Sequence, residues 1–522
     1  MSSNWNHGYN TDQGYTYGYY QETAPVWLDW ALRLKNQPAP SSLPLTGGKY
    51  RYLDLGCGQG LSMLLHAAAH PDMEFVGIDF NAAHIIHAQQ LASRAGLTNV
   101  RFIEGDFAEL ARNWPEDLGQ FHYTVMHGIY SWMAPSLRHA LVQCLRNAVV
   151  HGGAVYISYN AMPGWAARKP LQHLLRQIHH TSGLPSQQAI EQGLQLCDRL
   201  QAANAQVFVQ NPRLAPHIQH TKTQNRNYVV QEYLHDNWHP LWFSEVAQEL
   251  AAAKLQPLST ATLPEAYLPH LLPPELRQLV LDSTKDPIFQ QELTDLVTNQ
   301  SFRRDVFVRG VTTMWPATLR RQWLEQAFCY LHPKLENDKR NTIVTSFGEL
   351  TNDATLADAL REALTTGPQT LAQLMGHPII GQSPWPTVVQ VLTLLMHARQ
   401  ISPWQAKPDK TAAHRLNRAL AAAVCEGAPY NYLVTPHTSL SIAVSDTSLM
   451  LLDVYATPIP QKITSTTLAQ GLRERLQRLN RQVQHDGKPL PPNEAIAKLE
   501  LLTQDFLNIQ LPMFKRLGAW PA

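Results

Sequence analysis

The 522-residue sequence has almost no excess of charge: 42 Lys and Arg face 41 Asp and Glu, a formal net charge of +1. A protein that grips a polyanion needs a basic field, so this balance argues against nucleic acid or an anionic membrane surface as partner. Cysteine is scarce. Cys57, Cys144, Cys197, Cys329 and Cys425 show no CxxC spacing, which argues against a disulfide frame and a thiolate metal site and suits a reducing compartment. No apolar run reaches the roughly 18 residues of a membrane span. The opening MSSNWNHGYNTD lacks the basic and apolar regions of a secretory signal. What remains is a cytoplasmic enzyme or binding protein, long enough for two to four domains.

The first third alternates strand-like and helix-like stretches, the mark of a parallel sheet wound with helices. RYLDLG, MEFVGID, VRFIEGD, YTVMHG and GGAVYISYN read as five strands, the first four each followed by a helical stretch. From Arg168 the pattern turns helical and polar, as an insertion would. The sheet resumes at WFSEVAQELAAAKLQPLSTATL, where Ser244 is a candidate helix cap, and closes with SFRRDVFVRG. The expected organisation is a catalytic α/β unit over 1–167 and 236–312, with a helical insertion, a candidate dimerisation element, over 168–235. A winged-helix-like module over 318–405 and a last segment over 406–522 of unassigned role follow. The second helix of that module offers only His397 and Arg399 as bases, too few for a DNA-reading helix, and suits a protein contact. In the last segment, YNYLVTP and SLMLLDVYA read as a strand pair.

LDLGCGQG places Gly56, Gly58 and Gly60 on a turn between the first strand and its helix. The spacing is GxGxG, not the GxGxxG of a dinucleotide fingerprint, and Asp54 stands two residues before the first glycine. A carboxylate there repels a pyrophosphate and suits a cationic ligand such as S-adenosylmethionine. The second strand ends at Asp79, placed to accept from ribose hydroxyls, with Phe80 beside it to cover an adenine. The third ends at Asp106, a candidate acceptor for the adenine amino group, followed by Phe107 as an apolar wall. Each aspartate also suits a helix cap. All three strand ends together point to the cofactor.

LDLGCGQG, GIDF and EGDF resemble the first motifs of class I S-adenosylmethionine-dependent methyltransferases. YTYGYYQETAP, HGIYSWM, SYNAMPGW, NWHPLWFSEVAQELAAAKL and FRRDVFVRG resemble the subgroup with a methyltransferase regulatory domain, which includes bacterial lysine methyltransferases acting on outer-membrane proteins. The resemblance implies a seven-stranded Rossmann-like sheet and S-adenosylmethionine as cofactor. It carries the cofactor roles to Asp54, Gly56, Gly58, Asp79 and Asp106.

Methyl transfer is an in-line displacement whose leaving group is already activated, so the protein mainly positions the nucleophile and excludes water. The ends of strands four and five therefore attract attention. His127 is a candidate cofactor contact, Tyr130, Tyr159 and Asn160 candidate catalytic residues, and Trp132 and Trp165 a candidate acceptor wall by cation-π attraction. A lysine acceptor must lose its proton, which an apolar pocket favours. In GYTYGYY, Tyr15, Tyr17 and Tyr19 share one face of an extended segment and Tyr20 the other. Tyr17 and Tyr20 are candidate cofactor contacts if that segment is a lid, the alternative being an arm packed on the sheet or on a partner. His84 and His87 lack a metal-ligand pattern, His179 and His180 suit a solvated helix, and Arg303, Arg304 and Arg309 suit a solvent-facing or salt-bridged row. Trp238 and Trp242 are expected to pack the following helix onto the sheet.

About 210 residues follow the catalytic unit, more than a small acceptor requires. A protein acceptor, in particular a lysine of a cell-envelope protein, is the leading expectation. A natural-product methyltransferase and a non-catalytic cofactor-binding regulator stay open.

Overall fold

A computed structural model describes residues 8–9, 16–43, 45, 48–331, 340–457, 463–485 and 488–521. Seven strands form one sheet: β1 (Arg51–Leu55), β2 (Glu74–Asp79), β3 (Val100–Glu104), β4 (Phe121–Met126), β5 (Val149–Asn160), β6 (Leu255–Thr260) and β7 (Phe302–Arg309). Their order is β3-β2-β1-β4-β5-β7-β6, with β7 antiparallel to both neighbours and β1 to β5 mutually parallel. This is the seven-stranded class I methyltransferase sheet that the motifs imply. Tyr52, Leu53, Asp54 and Leu55 are all buried, because helices cover both faces of the sheet. Hence β1 reads as an apolar run with no alternation.

The turn after β1 needs its glycines. Gly56, Gly58 and Gly60 hold φ of +79°, +53° and +74°, the left-handed region that L side chains avoid. A Cβ on Gly60 would lie 2.6 Å from Cβ of Ala88. The helix Leu61–Ala69 starts there.

Between β5 and β6 the insertion is helical, as expected, with its longest helices at Lys169–Ser182 and Ser186–Ala202. Its apolar residues Leu175, Ile190, Leu194 and Val230 form a cluster with Trp132, Trp165 and Trp238, so it roofs the carboxyl ends of β4 and β5. Two local expectations change here. Trp238 joins this aromatic cluster instead of fastening the next helix to the sheet, with its ring centroid 5.1 Å from that of Trp165. That next helix begins at Phe243, so Ser244 lies inside its first turn, where its backbone N–H donates to Glu292 at 3.1 Å.

Beyond β7, the strands Gln369–Thr370, Ala327–Tyr330 and Ile401–Trp404 form a small antiparallel sheet with the middle one central. Helices Ala354–Thr365 and Trp385–His397 complete a winged-helix-like arrangement. The second helix does not face solvent as a DNA-reading helix must: Val388, Leu392 and Leu395 are fully buried. Its Thr393 hydroxyl accepts from Trp30 Nε1 at 3.2 Å and from Tyr267 at 3.1 Å, both in the catalytic unit. This helix therefore packs partly on the catalytic unit.

In the last segment the strand Tyr432–Thr435 pairs with Leu440–Ala443, and SLMLLDVYA is helix, not strand. Ser445 starts that helix, Asp446–Ala456, by accepting from the Ser448 amide at 3.0 Å. Buried on most sides, it shows no helical stripe, which is why its apolar run imitates a strand. The helix Thr411–Cys425 packs on Leu61–Ala69 and Ala82–Ala95, so this segment leans on the helices that follow the glycine turn and β2.

Burial separates two kinds of apolar residue in the winged-helix-like module. Leu392→Ala should cost about 2–5 kcal/mol, the range for a truncated core leucine, whereas Val344→Ala at a 71% exposed position should stay within about 0.5 kcal/mol. Chemical denaturation of the full-length protein followed by circular dichroism checks both.

Candidate active site

The carboxyl ends of β1, β2 and β4 converge on a cleft lined by Gly56, Gly58, Asp79, Phe80, Asn81, His84, Phe107, His127, Ile129, Trp132, Met133 and Gln231, with Tyr9 among them. Asp79 organises its floor. One carboxylate oxygen accepts from the Gly58 amide at 2.8 Å, and the other from the Asn81 amide at 2.9 Å. His84 Nδ1 lies 3.3 Å from the second oxygen. The Ile78 carbonyl also accepts from the amides of Gly56 and Cys57, at 2.8 and 3.1 Å. The end of β2 therefore holds the glycine turn open, with backbone in place of side chains along one wall.

Asp54 and Asp79 are both buried. Burial first, and the Asp79 charge second, push the Asp54 carboxyl up to about 7. At the opposite wall the His127 ring stacks on Tyr20, centroids 3.6 Å apart, and its Nδ1 meets the Tyr156 hydroxyl at 2.9 Å. Burial, with Arg304 nearby, lowers the His127 pKa to about 3. It is therefore neutral at ordinary pH and serves as a flat polar wall, not a proton carrier.

Tyr9 fills the middle. Its ring sits 5.3 Å from Phe80 and 4.7 Å from His235, and its hydroxyl donates to the Ile129 carbonyl at 3.4 Å. The space left free is about 70 Å³, roughly two waters by volume. Tyr9 thus takes up part of the space between the two walls.

A profile described as a methyltransferase domain matches residues 47–241, and one described as a predicted methyltransferase regulatory domain matches 225–309. An uncharacterized protein of Synechocystis, sll1526, is 31% identical over 521 residues, spanning 98% of this chain and 99% of its own. The chain belongs to the methyltransferases that carry a regulatory domain. PKMT2 from Rickettsia typhi, solved in complex with AdoHcy, shares the fold at a TM-score of 0.68 and 17% identity, over 97% of this chain and 99% of that one. A second relative, the uncharacterized protein RP789 of Rickettsia prowazekii, is 24% identical over 48% of this chain and 45% of its own.

The methyltransferase uses S-adenosylmethionine, which supplies a methyl group on a sulfonium. The cleft suits such a ligand: a Cβ on Gly56 would come within 2.9 Å of Ile129, so only bare backbone leaves that wall accessible. Two buried carboxyls stand close to it, with flat apolar rings on the far side.

Of the residues singled out in the sequence, Gly56, Gly58, Asp79, Phe80, Phe107, His127 and Trp132 line the cleft, while Asp54 and Asp106 do not. Asp106 realises its alternative role, capping the helix Phe107–Arg112 through the Ala108 amide at 2.6 Å. Tyr17 packs on His87 and Tyr430, and Tyr19 on His66 and Tyr432. Both lie against the last segment as an arm, with Tyr20 on the other side against His127, as an extended segment requires. Tyr17 and Tyr20 therefore do not line the cleft, and Tyr15 lies outside the described residues.

The acceptor candidates separate. Tyr130 is fully buried and donates to Glu249, beside Arg138, and Tyr159 donates to Asp305 at 2.7 Å. Neither tyrosine reaches the cleft. Successive residues of β5 point to opposite faces, so Tyr159 and Asn160 cannot serve one site. Asn160 Nδ2 donates to Glu232 at 2.6 Å, and Trp238 Nε1 donates to the same carboxylate oxygen at 3.3 Å. Trp165 packs in the insertion against Trp238 and Tyr233, away from the cleft wall. Sequence reading missed Tyr9, Asn81 and Gln231, which line the cleft, and Glu232, which like its partner Asn160 lies outside that lining. Asn81 was accessible as a cap two residues after Asp79; the others reach the site through folding of distant segments.

Two measurements test the floor of the site. Asp79→Ala frees the Gly58 amide and should weaken S-adenosylmethionine binding by about 1–3 kcal/mol in calorimetric titration. Asp54 ionises near pH 4 when unfolded and near 7 when folded, so the native state holds a proton that the unfolded chain gives up between those values. Its contribution to stability therefore falls as pH rises through that window. Asp54→Asn should be more stable than the parent by about 1–3 kcal/mol at pH 8 and nearly equal at pH 4, read by urea titration at both values.

Proposed function

We propose that this methyltransferase modifies a lysine amine of a protein, the acceptor approaching the cleft beneath the helical insertion. The reading rests most on the Asn160–Glu232 pair. Burial pushes the Glu232 carboxyl up to about 7, against the pull of Asn160 and Trp238, into the range where a carboxyl exchanges a proton near neutral pH. Asn160 Nδ2 is committed to Glu232, which leaves its carbonyl oxygen as the acceptor for an amine N–H. A lysine ammonium must lose one proton before its nitrogen attacks the methyl carbon; the methyl–sulfur bond breaks onto sulfur, the product leaves as the methylammonium, and a carboxyl near 7 one hydrogen bond behind Asn160 suits taking up that one proton. Trp132 supplies an aromatic face for the alkylammonium. The whole-length likeness to PKMT2 supports a protein acceptor, as does the length of chain beyond the catalytic sheet. On this reading Asp54 serves the donor's amino group, with Asp79 and Phe80 on its ribose and base. No described helix is long and apolar enough to cross a membrane, and a cell-envelope protein would meet this enzyme before export from the cytoplasm.

The test is product identification. Incubation with labelled S-adenosylmethionine and either envelope protein or small-molecule extract should place the label on lysine side chains by mass spectrometry; label confined to the small-molecule fraction would refute the proposal. With such a substrate, Asn160→Ala should lower kcat about 10²-fold with donor affinity unchanged. Glu232→Gln, which keeps an oxygen for Asn160 but takes up no proton, should flatten the rise of kcat between pH 6 and 8.

A further inference from the structure

The helix Ala82–Ala95 carries two histidines three residues apart. His84 lies beside Asp79. His87 makes two bonds of 2.7 Å, Nδ1 with the Gln59 carbonyl and Nε2 with the Tyr430 hydroxyl. A carbonyl oxygen only accepts, so Nδ1 carries the ring proton, and the Tyr430 hydroxyl donates to the lone pair of Nε2. Burial lowers the His87 pKa below the ordinary imidazole value, which favours this neutral form.

Gln59 stands between two glycines of the donor turn, Gly58 and Gly60, at φ of +53° and +74°. Neither offers a side chain to restrict the backbone. Asp79 holds the Gly58 amide on one side at 2.8 Å, and His87 holds the Gln59 carbonyl on the other. Tyr430 belongs to the last segment and is 6% exposed. Its ring is placed by groups other than its hydroxyl. Tyr17 stands 5.6 Å from it and 5.0 Å from His87. The helix Thr411–Cys425 packs on the helix that bears His87, and Arg94 of that helix pairs with both oxygens of Glu426 at 2.7 Å. Docking of the segment and the hydroxyl contact to His87 are therefore separable.

We infer that His87 is a positioning residue for S-adenosylmethionine and that the Tyr430 hydroxyl fixes its ring, so that the last segment sets how tightly the glycine turn holds the donor. The inference goes beyond the lysine reading, since it concerns the donor and holds for any acceptor. A ring with no partner at Nε2 is free to turn, or to move its proton to Nε2, and either change releases the Gln59 carbonyl. The turn then keeps only its Asp79 side, and its glycines give it room to drift.

Calorimetric titration of the full-length protein with S-adenosylmethionine tests this. Tyr430→Phe keeps the ring and its packing and should raise the donor Kd about fivefold, the loss of one hydrogen bond. His87→Ala should raise it about tenfold or more, and His87→Asn, which keeps an N–H where Nδ1 stood, should recover most of that loss. In the His87→Ala background Tyr430→Phe should add nothing, a coupling that independent contacts do not show. Glu426→Ala breaks the exposed pair between the same two elements without touching His87, and should leave Kd within about twofold. Tyr430→Phe carries the test should His87→Ala fail to fold by circular dichroism. An unchanged Kd in folded Tyr430→Phe, additive losses in the double variant, or an equal loss in Glu426→Ala would overturn the inference and leave the contact a matter of docking alone.

Discussion

The carboxylate of Asp79 is the contact on which the site depends. It bonds forward to the Asn81 amide, which starts the next helix, and backward across the sheet to the Gly58 amide. A single side chain so ties the end of one strand to the turn of its neighbour. Without that tie three left-handed glycines in five residues would leave the turn with many conformations, since glycine has the most backbone freedom to lose. With it, the turn presents bare backbone and no side chains to the cleft. After burial, the same carboxylate raises the proton affinity of Asp54 further, so the contact that stiffens the floor also adds to its electrostatic strain. A cationic ligand relieves the strain.

The regions beyond the sheet also bear on the floor. His87 spans from the Gln59 carbonyl, at 2.7 Å, to the Tyr430 hydroxyl, also at 2.7 Å. Tyr430 belongs to the last segment, so that segment touches the glycine turn through one ring. Nearby, the backbone N–H of Ser441 donates to the Tyr19 hydroxyl at 3.0 Å. The N-terminal arm is clamped on that side, while Tyr9, farther up the same arm, lies in the cleft. The insertion closes the other side with Gln231 and His235, packed beside Trp132. Three stretches far apart in sequence thus enclose one opening, which fits a reaction that must exclude water.

β7 shows how a strand can mislead. Its Phe302, Val306 and Val308 recur at alternate positions among charged residues, a pattern that suits its three arginines to a solvent-facing or salt-bridged row. Arg303 is salt-bridged, but deep inside, between Asp295 and Asp305. The reason is topological: β7 lies inside the sheet between β5 and β6, and the helix Pro287–Thr298 covers the face that carries Arg303, so a charge there needs partners from that helix. A similar ambiguity affected SLMLLDVYA, whose burial erased the helical stripe. Tyr130 and Tyr159 are the converse case. Their type suited an acceptor site, yet each hydroxyl found a carboxylate in the core first.

The first three strands, the glycine turn, Asp79 at the end of β2 and S-adenosylmethionine as cofactor could be read from residues 51–107, because those signals lie between neighbours in sequence: a turn that only glycine permits, an acidic strand end, a buried parallel strand. Which face of β5 meets the acceptor, that Glu232 stands behind Asn160, and that Tyr9 occupies the cleft were decided only by tertiary structure. Those contacts join residues 72 to more than 100 positions apart, and local pattern has no record of how a chain returns on itself.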